Sequence, residues 1–210
     1  MTFQPTWRCM KVQTIDNETA TPWILKKHYA HRLPPISYSF GMYNKTNELI
    51  GIVTYGIPAN PYLCSGICGE RFKSLVLELN RLVIDEGIPS YLISKSLKQM
   101  PSPRIIVSYA DTAMNHVGYV YQATNWIYTG CTKERTDMFA GEGKHSRHSK
   151  GDKSRRQFRS AKHRYVFFVG SRTQKKCFQK HLNYPVVPYP KGTPSRYDAS
   201  HPIPKQMSLI

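Results

Sequence analysis

Three short stretches carry side chains suited to work on an amine. Ser108-Tyr109-Ala110-Asp111 ends an apolar run in polar groups, and His116 follows five residues later. Glu78, Asn80 and Arg81 interrupt the apolar run Leu75–Ile84, where unpaired polar groups are costly unless they border a polar cleft. His28, Tyr29, His31 and Arg32 cluster just before Pro34-Pro35. A ring-bound exocyclic amine is a poor nucleophile, because its lone pair is delocalised into the ring. A protein acting on one must hold it and accept its proton. Asp111 suits both jobs and Tyr109 can stack on a flat ring; as a helix N-cap alone, Asp111 would contribute about 1 kcal/mol. His28 alone could equally satisfy the last carbonyls of a helix. His28 and Asp111 could share a metal ion, but no ligand-spacing motif accompanies them, and no metal set is assigned.

These residues need elements to position them. Residues 75–84 read as a strand of period two, with Val76, Glu78, Asn80 and Leu82 on one face and Leu77, Leu79, Arg81 and Val83 on the other. Ser90 reads as the N-cap of a helix reaching Met100, and Pro101 and Pro103 stop it. Residues 104–111 form a second strand, 112–124 a helix carrying His116, Tyr119 and Ala123 on one face, and 126–130 a third strand. This alternation predicts an α/β unit with parallel neighbours and ligands at the carboxyl ends of the strands. Upstream, 10–15 reads as a strand. Thr21-Pro22 opens a helix that must end before Pro34-Pro35. Residues 36–43 and 48–55 make a hairpin around Asn44-Lys45-Thr46-Asn47. A long Gly- and Pro-marked loop then leads to residue 75. Residues 165–169 are the last strand, and the proline-rich end, 184–192, runs as an extended arm.

Charge identifies the partner class. The 210 residues hold 30 Lys and Arg against 13 Asp and Glu, a net charge of +17. Thirteen of those cations, against Asp152 alone, fall between Lys144 and Lys180. Such a concentration favours a polyanion, with nucleic acid the commonest. Extruding the target base would keep its amine out of the stack. No run of 18 apolar residues appears, and the N-terminal residues lack a basic, apolar leader, so a cytoplasmic protein without a membrane partner is expected. The five cysteines form no repeating pattern and read as free thiols.

Several motifs, in order and spacing, resemble the Mom family of phage DNA-modification proteins. They include His28-Tyr29, Gly51-Ile52-Val53-Thr54-Tyr55-Gly56, Glu78-Leu79-Asn80-Arg81-Leu82, Ser90-Tyr91-Leu92-Ile93, Ser108-Tyr109-Ala110-Asp111, His116-Val117-Gly118-Tyr119 and Tyr121-Gln122-Ala123-Thr124-Asn125-Trp126. The likeness spans about residues 23–191. It implies an α/β fold of the GNAT-like, acetyltransferase type: a mixed central sheet flanked by helices, with a basic insertion and an extended C-terminal arm. It also implies conversion of adenine to an N6-carbamoylmethyl derivative that shields phage DNA from restriction. On this basis residues 1–170 form the catalytic domain, with a DNA-contacting segment at 144–164, and 171–210 the arm. The resemblance places His28, Tyr29, Arg81, Ser108, Tyr109 and Asp111 at the reaction centre. It puts Leu82, Val83, Ser90, Tyr91 and Asn125 along the donor, and His116, Tyr119, Lys162 and Arg164 toward double-stranded DNA. Acetyltransferases hold the coenzyme A pyrophosphate on a Gly-rich loop at a helix N-terminus. Here that loop is Asp85-Glu86-Gly87-Ile88-Pro89, so acetyl-CoA, an aminoacyl-type donor or another small-molecule group donor all stay open. Two rival readings remain: an acyltransferase acting on a small-molecule or protein amine, and a non-enzymatic DNA-binding protein on the same fold.

Overall fold

The computed structural model describes residues 10–138, 156–192 and 208–209. Seven strands form one sheet: β1 (Lys11–Thr14), β2 (Tyr38–Tyr43), β3 (Leu49–Gly56), β4 (Val76–Ile84), β5 (Arg104–Asp111), β6 (Ile127–Cys131) and β9 (Lys162–Val169). Their order is β1-β2-β3-β4-β5-β9-β6. Only β4 and β5 run parallel; every other pair is antiparallel. The parallel neighbour expected of β4 is therefore present. The third strand of the expected unit, β6, lies beyond β9 instead of beside β5. A small second sheet joins β7 (Arg135–Met138), β8 (Arg156–Arg159) and β10 (Ser208–Leu209).

Helices cover both faces. On one, α3 (Pro89–Gln99) buries Leu92, Ile93 and Leu97 against Phe40, Val53, Leu79 and Ile106. Each such side chain contributes about 1.5–3 kcal/mol. On the other face, Ala20 and Ile24 of α1 (Asn17–Lys27) pack on Ile52 and Val83. Ile67 of α2 (Pro61–Cys68) and Phe178 of α5 (Arg172–Lys180) pack there on Val107, Val166 and Phe168. The mixed sheet flanked by helices is as expected.

Several local readings change. α1 starts at Asn17 because Asp16 is its N-cap, accepting the Thr19 amide at 2.6 Å, so Thr21-Pro22 falls inside the helix. The N-cap of α3 is Ile88, and Ser90 is the second helical residue, since the fixed φ of Pro89 suits the first helical position. The long loop before β4 contains α2 and a 3-10 turn over Glu70–Leu75. Residues 112–124 are not one helix. Asn115 and Gly118 adopt left-handed φ values of 53° and 77°, leaving a 3-10 turn at Thr112–Met114 and the short α4 (Tyr119–Gln122). Hence His116, Tyr119 and Ala123 share no helix face. Residues 172–180, read as basic arm, form α5, opened by a Ser171–Gln174 capping box. Of the basic stretch expected from Lys144 to Lys180, and of the DNA-contacting segment 144–164 within it, residues 144–155 lie outside the described residues.

The largest revision concerns Arg81. Thr54 pairs with Arg81 and Tyr55 with Leu79, so Asn80 is an extra residue on β4, a β-bulge. Alternation is reset at that point. Leu77 and Leu79, with Leu82 and Ile84 after the bulge, face α3, while Val83 packs with α1 on the opposite side. Arg81, paired with Thr54 two residues before Val83, therefore lies on the α1 side, the side of Glu78, whose rung partner Val107 packs with α2.

Candidate active site

β4 and β5 pair only from Val76 to Glu78 against Ile105 to Val107, and beyond that rung they part. A cavity of about 310 Å³ occupies the opening. Its walls are Leu79–Ile84 of β4, Tyr109–Asp111 of β5, the α1 exit at Lys27–Tyr29, and residues 116–121. Parting frees backbone groups that side chains then satisfy. The Ser108 hydroxyl lies 2.9 Å from the Leu79 carbonyl and 2.8 Å from the Tyr121 hydroxyl. Having one proton, it donates to the carbonyl and accepts from the phenol. Arg81 donates to its own strand at the Asn80 carbonyl, 2.6 Å away, and across the opening to the Arg32 carbonyl, 2.8 Å from Nη2. Asn80 donates to the Pro35 carbonyl at 2.8 Å and accepts from Thr54 at 2.6 Å. Polar residues inside β4 thus latch the segment after α1 over the cavity.

α1 ends at Lys27, and His28 caps it in extended conformation. His28 is 7 % exposed, stacks on Tyr29 at 4.3 Å, and its Nδ1 accepts the Ala30 amide at 3.0 Å. Burial, reinforced by Arg81, lowers its pKa to about 3, so the ring is neutral with its proton on Nε2. It is His31, not His28, that meets a helix carbonyl, with Nδ1 2.8 Å from the Leu25 oxygen. Burial pushes the Tyr29 phenol up to about 12, aided by the Asp111 carboxylate, and also raises Tyr109.

Two carboxyl groups are shifted in opposite directions. Asp111, 5 % exposed, accepts from the Ala113 amide at 3.0 Å and from the Ser160 hydroxyl, and pairs with Lys162. Burial works to raise its pKa, but those donors hold it below the ordinary value. Asp111 is thus both the N-cap of the turn after β5 and one half of an ion pair. Glu78 stands at the inner end of the opening, one residue before the first wall residue, Leu79. Among the described residues it makes no hydrogen bond or ion pair, and burial lifts its pKa to about 7 against the pull of Arg81 and Lys162. The sequence marked Glu78 as an unexpected charge in an apolar strand but gave it no role.

The structure gathers His28, Tyr29, Arg81, Tyr109, Asp111, Leu82, Val83, His116 and Tyr119 around the cavity. Others stand apart. Ser108 is 1 % exposed and faces Tyr121 behind the wall. Ser90 sits in the first turn of α3, and the Tyr91 hydroxyl donates to the Met10 carbonyl. Asn125 occupies an exposed left-handed turn at φ 58°. Lys162 lines no part of the cavity and is ion-paired to Asp111; Arg164 donates to Thr129 and covers the Tyr184 ring at 3.4 Å. Tyr119 donates to the Gly192 carbonyl, tying the segment after α5 to the rim. Tyr121, 7 % exposed within the core on the α3 side, also lines the cavity, with its hydroxyl on Ser108.

The loop before α3 does not fit a pyrophosphate. Asp85 pairs with Lys27, Glu86 is exposed, Pro89 has no N–H, and the Tyr91 and Leu92 amides already bond the Ile88 carbonyl. Among the described residues no group of three or more His, Cys, Asp or Glu side chains is placed to hold a metal ion. No described helix is long and apolar enough to cross a membrane.

Among solved structures, a spermidine/spermine N-acetyltransferase of Vibrio cholerae is similar at a TM-score of 0.47 with 10% identity, covering 82% of this chain and 99% of that one. A ribosomal-protein-S5-alanine acetyltransferase of Vibrio fischeri is similar at a TM-score of 0.45 with 12% identity, covering 76% and 93%. In sequence, the methylcarbamoylase Mom of Escherichia phage Mu is 27% identical over 205 residues, 87% of this chain and 84% of that protein. The profile of the Mom protein family matches residues 9–191, from before β1 to the segment held by Tyr119, and the chain belongs to that family.

Proposed function

We propose that this protein is a DNA-modifying transferase that converts adenine to its N6-carbamoylmethyl derivative, protecting phage DNA from restriction in the host cytoplasm. The observation that carries the reading is the opened β4–β5 seam. It presents neutral His28, Arg81, Tyr109 and Asp111 on one side and the apolar Leu79, Leu82 and Ile84 on the other. An extruded adenine enters from the α1 side, stacks on Tyr109 and meets the donor within the seam. Arg81, with N–H groups left after its backbone bonds, and His28, with a proton on Nε2, stabilise charge on the donor. The basic residues supply phosphate contacts that position the duplex without reading its sequence. A cavity of this size suits a small donor group. The donor is an activated acetamide-type compound whose recognition does not depend on a pyrophosphate at α3.

The test is mass spectrometry of nucleosides from DNA of bacteria expressing the chain. A new deoxyadenosine, heavier by the carbamoylmethyl group, is expected. Ordinary deoxyadenosine alone, with the protein soluble and abundant, would overturn the reading.

A further inference from the structure

We propose that Glu78, rather than Asp111, takes the proton from the acceptor amine. This deepens the transferase reading and rests on it. The geometry has three parts. Glu78 occupies the last rung before the seam opens, next to the first wall residue of the cavity, Leu79, and its partner on β3 is Gly56, over which the Pro35 carbonyl packs. Its rung partner Val107 packs with α2, so the Glu78 side chain lies on the face from which the acceptor enters. Glu78 is half-buried and, among the described residues, has no hydrogen-bond donor, whereas Asp111 is engaged by Lys162, Ser160 and the Ala113 amide. A carboxylate already holding three donors is a weak base, and one without donors keeps its lone pairs for a substrate.

The titratable groups within electrostatic reach of Glu78 are Tyr29 at the α1 exit, Cys64 on α2, Arg81 on its own strand, Tyr109 on β5, Lys162 on β9 and, from the α3 side of the sheet, Tyr121 on α4. The two cations favour its ionised form and burial opposes it; the balance leaves its pKa at about 7, where a base both ionises and retains driving force. In the step itself, N6 forms a bond to the methylene carbon of the acetamide-type donor. The bond from that carbon to the leaving group breaks and its electron pair departs with the leaving group. The proton of N6 passes to Glu78, through one water at most, and Glu78 then returns it to solvent.

The experiment follows modified deoxyadenosine against time in lysates of cells expressing wild type, Glu78→Gln or Asp111→Asn, with added plasmid DNA, between about pH 6 and 8. A base works only when deprotonated, so the wild-type rate rises with pH through a midpoint of about 7. Glu78→Gln lowers the rate about 10²–10⁴-fold and abolishes the rise, while Asp111→Asn keeps the midpoint. Glu78→Asp restores part of the rate. A Glu78→Gln rate within a few-fold of wild type overturns the assignment. So does a flat wild-type profile, which decides the matter even if Glu78→Gln fails to fold. If the wild type modifies no adenine, the transferase reading falls and this assignment with it; if wild type and Glu78→Gln modify equally, only this assignment falls.

Discussion

The two halves of the β4–β5 pair are built from the same strands and do opposite things. In the closed half, Val76–Glu78 against Ile105–Val107, the backbone is satisfied by the ladder and the side chains are nearly all apolar. In the open half, Leu79–Ile84 against Ser108–Asp111, the ladder is lost and polar residues replace it: Ser108 for the Leu79 carbonyl, Arg81 for that of Asn80. A sheet can open only where its side chains supply the hydrogen bonds it gives up, because an unsatisfied buried carbonyl costs about 1–3 kcal/mol. The polar residues of β4 are thus both the condition for the cavity and its lining. Glu78 sits on the boundary and belongs to both halves.

The closed half is tested by Ile106→Ala. Ile106 is fully buried, and its loss should destabilise folding by about 2–5 kcal/mol in chemical denaturation. A loss below 1 kcal/mol would mean that the closed half does not anchor the sheet. The open half responds in activity. Arg81→Ala frees the segment carrying the Arg32 carbonyl and should reduce adenine modification in cells about 100-fold, with the protein still folded. Unchanged modification would show that the latch is dispensable. Ser108→Ala leaves the Leu79 carbonyl without its side-chain donor and should lower stability by about 1–3 kcal/mol. If denaturation midpoints coincide, the replacement of ladder bonds by side chains is wrong.

The last prediction concerns pH. The His28 pKa is about 3 in the folded chain against 6.5 for the free side chain, so the folded state takes up its proton less readily than the unfolded state. The stability contributed by neutral His28 is present above about pH 6.5 and lost as pH falls toward 3. The loss is at most about 1.4 kcal/mol per pH unit. Glu78 acts in the opposite sense: its raised pKa favours folding at low pH and that contribution is lost as pH rises through about 7. Replacing His28 with Gln should flatten the acid side of the thermal stability curve below pH 6.5. An unchanged slope there would show that His28 is not held neutral.

Much of this arrangement was legible. The period-two runs at 36–43, 48–55, 75–84 and 104–111 gave β2 to β5 within a residue or two, because alternating burial leaves a local trace. Glu78, Asn80 and Arg81 stood out because charges in an apolar strand demand partners. The opening around Asp111 was visible as an apolar strand ending in polar groups. What failed was longer in range or finer in geometry. Composition offers no sign that Asn80 is a bulge, since two residues opposing one is a property of the pairing with Thr54 and Tyr55. The break of 112–124 turns on two left-handed residues, Asn115 and Gly118, whose neighbours read as helix. Ser108 ends the apolar strand among polar groups and read as a site residue, yet the fold puts it behind the cavity wall, where its hydroxyl meets that of Tyr121.

By itself, then, the sequence determined the strands of the seven-stranded sheet but not the small second sheet, together with the mixed α/β class, the basic character and the family motifs, because these depend on local periodicity and composition. The tertiary structure alone decided that Arg81 shares a face with Glu78, that Asp111 is consumed by Lys162 and Ser160, and that Glu78 is left without a donor. The protonation state of a carboxylate depends on burial and on neighbours far away in the chain, as Ser160 and Lys162 are 49 and 51 residues from Asp111, and only folding brings those together.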